Sequence, residues 1–481
     1  MVMLRVGDHL IGTLSLAVLA RLLLPADFGL VSYAMISLGL LELLSNVGVD
    51  VALIRNPGAS RPHFDTAWTI EVVKGAVLCL ALAMLARSAA AYFDAPALEP
   101  VMYVVALYPL ISGLENIGTV YFRKDLEFRR QFVFVLTARV LATLITILLA
   151  WILRSYWALV FGVLARSALR LVLSYAMHPY RPRFSLSELR GIFDFSKWVF
   201  VQQLIQGLNE RIPALAVGRI AGAEPLAFFN VGQEIAGLAT TALRAPIRQA
   251  LFPGFAKLSG DSAQLARAFQ DSLAILLLVS LPVPIGIGLT AEHVVRLFLG
   301  ANWMGVVPVL QVLAIYGAVS TLGTGSHLIY WTANRPGITA MLSALRLLLL
   351  APLTVWLVFV YGTLGAAWAL TASMTVVVVV DYAIVLRVLE VRLSDLLARV
   401  WRVLAATLSM TGAVLLAMSQ LVWSDDLRDL TGQLALCVTV GATAYFATLG
   451  LLWQACGRCD GPERQALALL RGLTIRPPAA A

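Results

Sequence analysis

Of 481 residues, 60% are hydrophobic and only 13% charged, with a mean hydropathy of +0.85. A soluble domain carries nearer a quarter charged residues, so this chain cannot cover itself with a polar surface, and a soluble enzyme is excluded. The net charge of +9 reads as topology and headgroup charge, so no nucleic-acid partner is expected.

Apolar runs near 20 residues, the length that crosses hydrocarbon, recur along almost the whole chain. They predict an all-α polytopic membrane protein of about fourteen spans: 8–24, 29–54, 66–92, 99–122, 131–153, 156–178, 197–220, 226–253, 267–290, 304–331, 337–361, 363–388, 400–422 and 432–454. The first apolar stretch, Ile11 to Leu24, has no small-residue cleavage site and runs straight into a second span, so no signal peptide is expected. Basic residues crowd alternate connections. Arg123, Lys124, Arg129 and Arg130 follow span four, and Arg181, Arg183, Arg190 and Lys197 follow span six. The intervening connections are short and carry Asp94 and Glu99, Glu224, or Asp425, Asp426 and Asp429. Lys and Arg resist translocation, so roughly twenty inward against about five outward places both termini in the cytoplasm. Arg123 to Gln131, and Phe184 to Phe195, are predicted to form short amphipathic helices on the inner surface.

An internal repeat divides the chain. Ala20-Arg21-Leu22 and Gly218-Arg219-Ile220 each end an odd span and precede a tight turn with Pro and an acid, Pro25-Ala26-Asp27 or Glu224-Pro225. The offset superimposes Arg21 on Arg219 and Gly39 on Gly237. Two related bundles of six spans are expected, 1–180 and 197–390, joined by an inner connection at 181–196. Two further spans, 391–455, and a cytoplasmic tail, 456–481, complete the chain.

An ionisable group inside hydrocarbon costs about 2.5–3.5 kcal/mol on insertion scales, so each embedded one needs a reason. Glu71 and Lys74 are helix neighbours, either an ion pair that permits insertion or cavity groups. Arg166 and Arg170 lie near an inner end, within reach of lipid phosphates. Arg139, Arg211 and Arg346 sit several residues inside apolar runs, and their most economical home is a water-filled cavity between the bundles. Gln202, Gln206 and Asn209 form a polar stripe, and Arg244 and Arg248 read equally as cavity or inner-face charges. A cationic cavity selects an anionic ligand, because guanidinium makes bidentate contacts to phosphate. Glu42, Glu71, Glu115, Glu210 and Glu234 are candidates for ion coupling or for neutralising arginines.

No catalytic arrangement stands out, and the outward loops are too short for an enzyme of polysaccharide assembly. The five histidines show no ligand spacing, and His327 reads as a core histidine. Cys79 and Cys437 read as small hydrophobes. Cys456 and Cys459 form a lone C-x-x-C, so no metal or cofactor is expected.

The run Leu19-Ala20-Arg21-Leu22-Leu23-Leu24-Pro25-Ala26-Asp27-Phe28-Gly29 resembles the hallmark of bacterial polysaccharide transporters, the Wzx-type flippases. Their superfamily also holds the multidrug-and-toxin exporters and the lipid II flippase. The stretches Tyr121 to Arg130 and Gly362 to Ala367 are similar too. The resemblance implies a V-shaped bundle that alternates between inward-open and outward-open states, with Arg21 lining its outer cavity. It implies a substrate of undecaprenyl-diphosphate-linked oligosaccharide, contact with membrane lipids, and partnership with a polysaccharide polymerase and export machinery. Span one departs from the pattern in being short, so the first helix is expected to be incomplete. The alternative within transport is a drug/cation antiporter, which would want acids dominating the cavity.

Overall fold

The computed structural model describes residues 2–45, 53, 58–189, 197–237, 262–332, 335, 337–421 and 426–456. Among these residues it is all-helical, without strands. Hydrocarbon offers no partners to backbone polar groups, so long apolar runs close their hydrogen bonds within the helix. In chain order the helices are α1 (Val2–Leu22), α2 (Pro25–Ser45), α3 (Arg61–Tyr92), α4 (Leu98–Val105), α5 (Leu107–Gly113), α6 (Val120–Lys124), α7 (Phe128–Leu153), α8 (Trp157–Met177), α9 (Lys197–Ile220) and α10 (223–237). There follow α11 (Ser262–Ser280), α12 (Pro282–Leu289), α13 (Ala291–Phe298), α14 (Val306–Leu322), α15 (Ser326–Thr332), α16 (Gly337–Tyr361), α17 (Thr363–Val388), α18 (Leu393–Gln420) and α19 (Leu427–Ala455).

Nine helical segments among the described residues are long and apolar enough to cross a membrane, α11 and α12 counting together as one. A tenth is a broken span, Leu98–Gly113 with Ile117–Lys124, bent by 62°. The chain is therefore a multi-pass membrane protein. Other expected spans are shorter or more polar: the apolar part of α1 is Leu10–Leu22, α14 has 17 residues, and α9 carries the polar stripe. The span expected at 226–253 lies outside the described residues beyond 237.

The chain divides into two compact units. Unit 1 comprises Met1–Val231, Phe298–Gly305 and Leu347–Ala369. Its corner motif is built from the first-span sequence. Pro25 starts α2 with its φ already helical, and Asp27 Oδ2 accepts the Leu24 N–H at 3.0 Å. Gly29 is required by close approach, since a Cβ there would overlap the carbonyl of Ala223. The corners α1–α2 and α9–α10 therefore meet backbone to backbone, and Tyr33 OH donates to Gly218 O at 2.9 Å beside them. Fully buried Trp303 closes the corner, its Nε1–H donating to Ala20 O at 2.8 Å and its ring set edge-on to Phe28. Gly362, at φ +58°, lets α16 end and α17 begin with one residue between them.

At the basic connections one expected helix is absent and the other starts later than expected. The first residues of the expected 184–195 helix are not helical: 180–188 lie as a strap along the start of α3, and Leu189 is already helical. The Asp65 carboxylate accepts from Tyr180 OH (2.7 Å) and Arg183 N–H (3.0 Å), and Thr69 Oγ1 accepts from Ser185 N–H (3.0 Å). Side-chain acceptors on α3 thus hold the backbone donors of this strap. The rest of that predicted helix, 190–195, lies outside the described residues. Arg123–Gln131 is no separate helix, because α6 ends at Lys124, Leu126 takes φ +58°, and α7 has begun by Phe128.

Unit 2 comprises Gly232–Leu297, Val306–Arg346 and Leu370–Ala481. Its core gathers Leu277, Ile329, Tyr330, Val385, Val403 and Ala406, all essentially inaccessible. Tyr445 OH donates to Leu278 O at 2.8 Å, and Arg399 pairs with Asp271 at 3.2 Å.

Candidate functional site

Unit 1 contains a cavity of about 410 Å³ between α1, α2, α7, α8 and α9. Three arginines reach it: Arg139 from α7, Arg166 from α8 and Arg211 from α9. Its remaining wall is mostly apolar, including Phe28, Val31, Met35, Ile36 and Leu159. Arg139 is half-buried, and its Nε lies 3.5 Å from Asp8 Oδ1. Arg166 shares this electrostatic neighbourhood with Arg139, Asp8 and Arg170. Arg211 is seated by Gly39: a Cβ at Gly39 would stand 2.5 Å from Arg211 Nε and 3.0 Å from Nη2. Glu42 lies within electrostatic range of Arg211, Lys74 and Glu71. Two acids, Asp8 beside Arg139 and Glu42 near Arg211, against three guanidinium groups leave the cavity net cationic, and a low-dielectric wall strengthens that field.

A second cavity of about 350 Å³ adjoins the broken span. Arg170 donates from Nε and Nη2 to the two Glu115 oxygens, each at 3.0 Å, and its guanidinium lies 5.5 Å from the Phe134 ring centroid. Glu71, ion-paired with Lys74 on the next turn, contributes to the wall with Arg123 and Gln131. The break is fixed by Asn116, which is fully buried. Its Nδ2 donates to Tyr180 O at 2.7 Å, and its Oδ1 accepts the Gly118 N–H at 2.9 Å. Beyond α8, His178 stacks on Tyr121 at 5.6 Å, and its Nδ1 accepts the Tyr180 N–H at 3.1 Å. Burial, with the nearby Arg130 charge, holds this imidazole below its ordinary pKa.

The expected cavity residues are thus only partly brought together. Arg139 and Arg211 share one cavity, and Arg166, expected to face lipid phosphate, joins them. Arg346 lines a different one in unit 2, of about 210 Å³, with His327, Tyr330 and Asp381. There Arg346 Nη2 donates to Tyr316 OH at 2.9 Å, and Tyr330 OH donates to Asp381 Oδ1 at 2.6 Å. Arg21 is exposed at the end of α1 and lines none of these three cavities. The polar stripe splits, with Gln202, Gln206 and Glu210 exposed and Asn209 buried, donating to Ile205 O at 3.0 Å. Gln206 Nε2 donates to Glu210 at 3.2 Å, and Glu234 is exposed. Arg244 and Arg248 lie outside the described residues. The missed features, Arg166 and Asn116, each left a trace in the sequence. Arg166 sits four residues before Arg170 on one helix face, and Asn116-Ile117-Gly118 interrupts an apolar run.

Fold and site together define a polytopic helical membrane protein with an arginine-walled cavity inside one helical unit. A family model described as polysaccharide biosynthesis protein matches residues 18–308, and the chain belongs to that family. Among relatives, it is 24% identical over 379 residues to the lipopolysaccharide biosynthesis protein WzxC of Escherichia coli, covering 77% of this chain and 75% of that one. It is 22% identical to the succinoglycan biosynthesis transport protein ExoT of Rhizobium meliloti, covering 66% and 67%. Among solved structures, the lipid II flippase MurJ in an inward-closed conformation superposes with a TM-score of 0.74 at 13% identity, over 95% of this chain and all of that one. An inward-facing multidrug resistance MATE family transporter of the MOP superfamily gives 0.63 at 16% identity, over 80% and 94%. The fold is shared with both transporters.

Proposed function

We propose that the protein is a flippase for undecaprenyl-diphosphate-linked oligosaccharide units in surface polysaccharide biosynthesis. The observation that carries this reading is the set of embedded arginines, Arg139, Arg166 and Arg211, around one cavity. Asp8 and Glu42 offset only part of the charge of three embedded guanidinium groups, and the surplus favours an anionic ligand. A diphosphate supplies that anion and matches guanidinium geometry, while the polyprenyl tail stays in lipid. The names of the relatives, in lipopolysaccharide and succinoglycan biosynthesis, support the same substrate class.

In this reading the protein sits in the bacterial inner membrane with both termini cytoplasmic. Fourteen spans form two six-helix lobes, 1–180 and 197–390, joined by 181–196, with two further helices over 391–455. The lobes alternate access to the two leaflets. Arg21, Lys74, Gln206, Asn209, Arg244, Arg248 and Arg346 are secondary substrate contacts, and Glu42, Glu71, Glu115, Glu210 and Glu234 carry any coupled ion. The protein performs no chemistry on its substrate and works alongside a polymerase and export machinery. Arg139→Ala and Arg211→Ala are expected to abolish surface polysaccharide while the protein remains membrane-inserted. Full glycan output from both variants overturns the cationic-cavity reading.

A further inference from the structure

We infer that the cavity beside Glu115 and Arg170 is a sugar subsite for the glycan end of the same lipid; this inference rests on the flippase reading above. The two cavities of unit 1 differ in chemistry. The first presents arginines against apolar walls, which suits a diphosphate at the head of an isoprenoid. The second balances Glu71 and Glu115 against Arg123 and Arg170, and adds Gln131, Ser112 and Thr119. Its opposed charges neutralise each other, so it holds no diphosphate well. A sugar hydroxyl both donates and accepts, and a wall with carboxylate acceptors beside guanidinium and amide donors satisfies both functions. The bidentate Arg170–Glu115 pair fixes those groups in place before a ligand arrives.

The cavities also lie in the order that the substrate's covalent structure demands. Both are walled by α7 and α8. On α8, Arg166 belongs to one and Arg170 to the other, four residues or about 6 Å apart along the axis. On α7, Arg139 and Val135 are related in the same way. Tyr108 lies within electrostatic range of Arg166 on one side and of Arg170 and Glu115 on the other. The first sugar of such a lipid is bonded directly to the second phosphate, so its subsite must adjoin the diphosphate site. Arg123 places the second cavity at the end of unit 1 that carries the basic connection. Hydrophilic sugars would therefore sit nearer the cytoplasmic surface, with the diphosphate deeper and the tail in lipid.

The test compares affinities of the full-length protein for undecaprenyl diphosphate and for the same lipid bearing one glucose, galactose or N-acetylglucosamine. The readout is the ratio between the best-bound sugar lipid and the bare lipid. The wild-type protein is expected to favour the sugar lipid by about tenfold, the worth of one charge-assisted hydrogen bond. Glu115→Gln, and independently Gln131→Ala, should bring that ratio to near one. Arg139→Ala should weaken both lipids and leave the ratio standing. A wild-type ratio near one, or a ratio unchanged in both cavity variants, overturns the sugar subsite while leaving the flippase reading intact. Failure of the wild-type protein to bind either lipid overturns the flippase reading and the subsite with it. Because Gln131→Ala leaves the Arg170–Glu115 pair in place, a folding defect in Glu115→Gln does not obscure the result.

Discussion

Replacing Gly39 with alanine should weaken diphosphate binding without touching any charged group. The added Cβ would stand 2.5 Å from Arg211 Nε, 3.0 Å from Nη2 and 3.1 Å from Cζ. An ordinary contact needs about 1 Å more, so the guanidinium must retreat by roughly that distance or the helices must part. At an effective dielectric near 20, unit charges about 4 Å apart interact by about 4 kcal/mol, and about 5 Å apart by about 3.3 kcal/mol. The loss is therefore about 0.8 kcal/mol per phosphate charge, a roughly four- to fifteenfold fall in affinity for one or two charges. The folding cost is small, because the blocking atoms are the mobile end of Arg211 and alanine returns up to about 1 kcal/mol of helix propensity. The control is Gly237, whose added Cβ meets nothing within 4 Å. Binding of undecaprenyl diphosphate should fall for Gly39→Ala and hold for Gly237→Ala, with neither variant melting below wild type in detergent. Equal affinity in Gly39→Ala and wild type would show that Arg211 is not held against Gly39 in the binding state.

Three further outcomes follow from the same geometry. Asn116→Leu keeps the branched side-chain shape but strips partners from Tyr180 O and the Gly118 N–H, costing roughly 2–5 kcal/mol, read as a lower melting temperature and faster proteolysis of the 180–188 strap; unchanged melting would contradict it. His178 has a lowered pKa in the folded protein, so the unfolded chain binds more protons below about pH 6.5. Its stabilisation is present above that pH and is lost as pH falls through the folded pKa; melting should drop between about pH 7.5 and 5, and His178→Gln should flatten that profile. Trp303→Phe removes the donor to the buried Ala20 carbonyl and should cost about 1–3 kcal/mol by detergent melting; unchanged melting would contradict it.

Much of the fold was legible because hydrocarbon imposes a one-dimensional rule: length and apolarity alone predict a span. Helices such as α7, α8, α16 and α17 match their predicted ranges closely. The arginines at 139 and 211 were legible for the converse reason, being charges that the same rule forbids. What one dimension could not reveal is which helix faces meet. Arg166 looked like a lipid-facing charge because its depth was readable and its direction was not. The strap that precedes Leu189 was not legible as extended chain, since its backbone donors are taken by Asp65 and Thr69 more than a hundred residues away. The break in span four depends on Asn116 reaching Tyr180, 64 residues later, and no local pattern encodes that distance.

The most direct test of the central claim is leaflet transfer. Full-length protein is reconstituted in proteoliposomes with fluorescent undecaprenyl-diphosphate-linked sugar in one leaflet, and its appearance in the other is followed by quenching. The wild-type protein should transfer the lipid, and Arg139→Ala and Arg211→Ala should lose transfer at equal reconstitution. No transfer by the wild-type protein, with export of a cationic drug by the same vesicles, would contradict it.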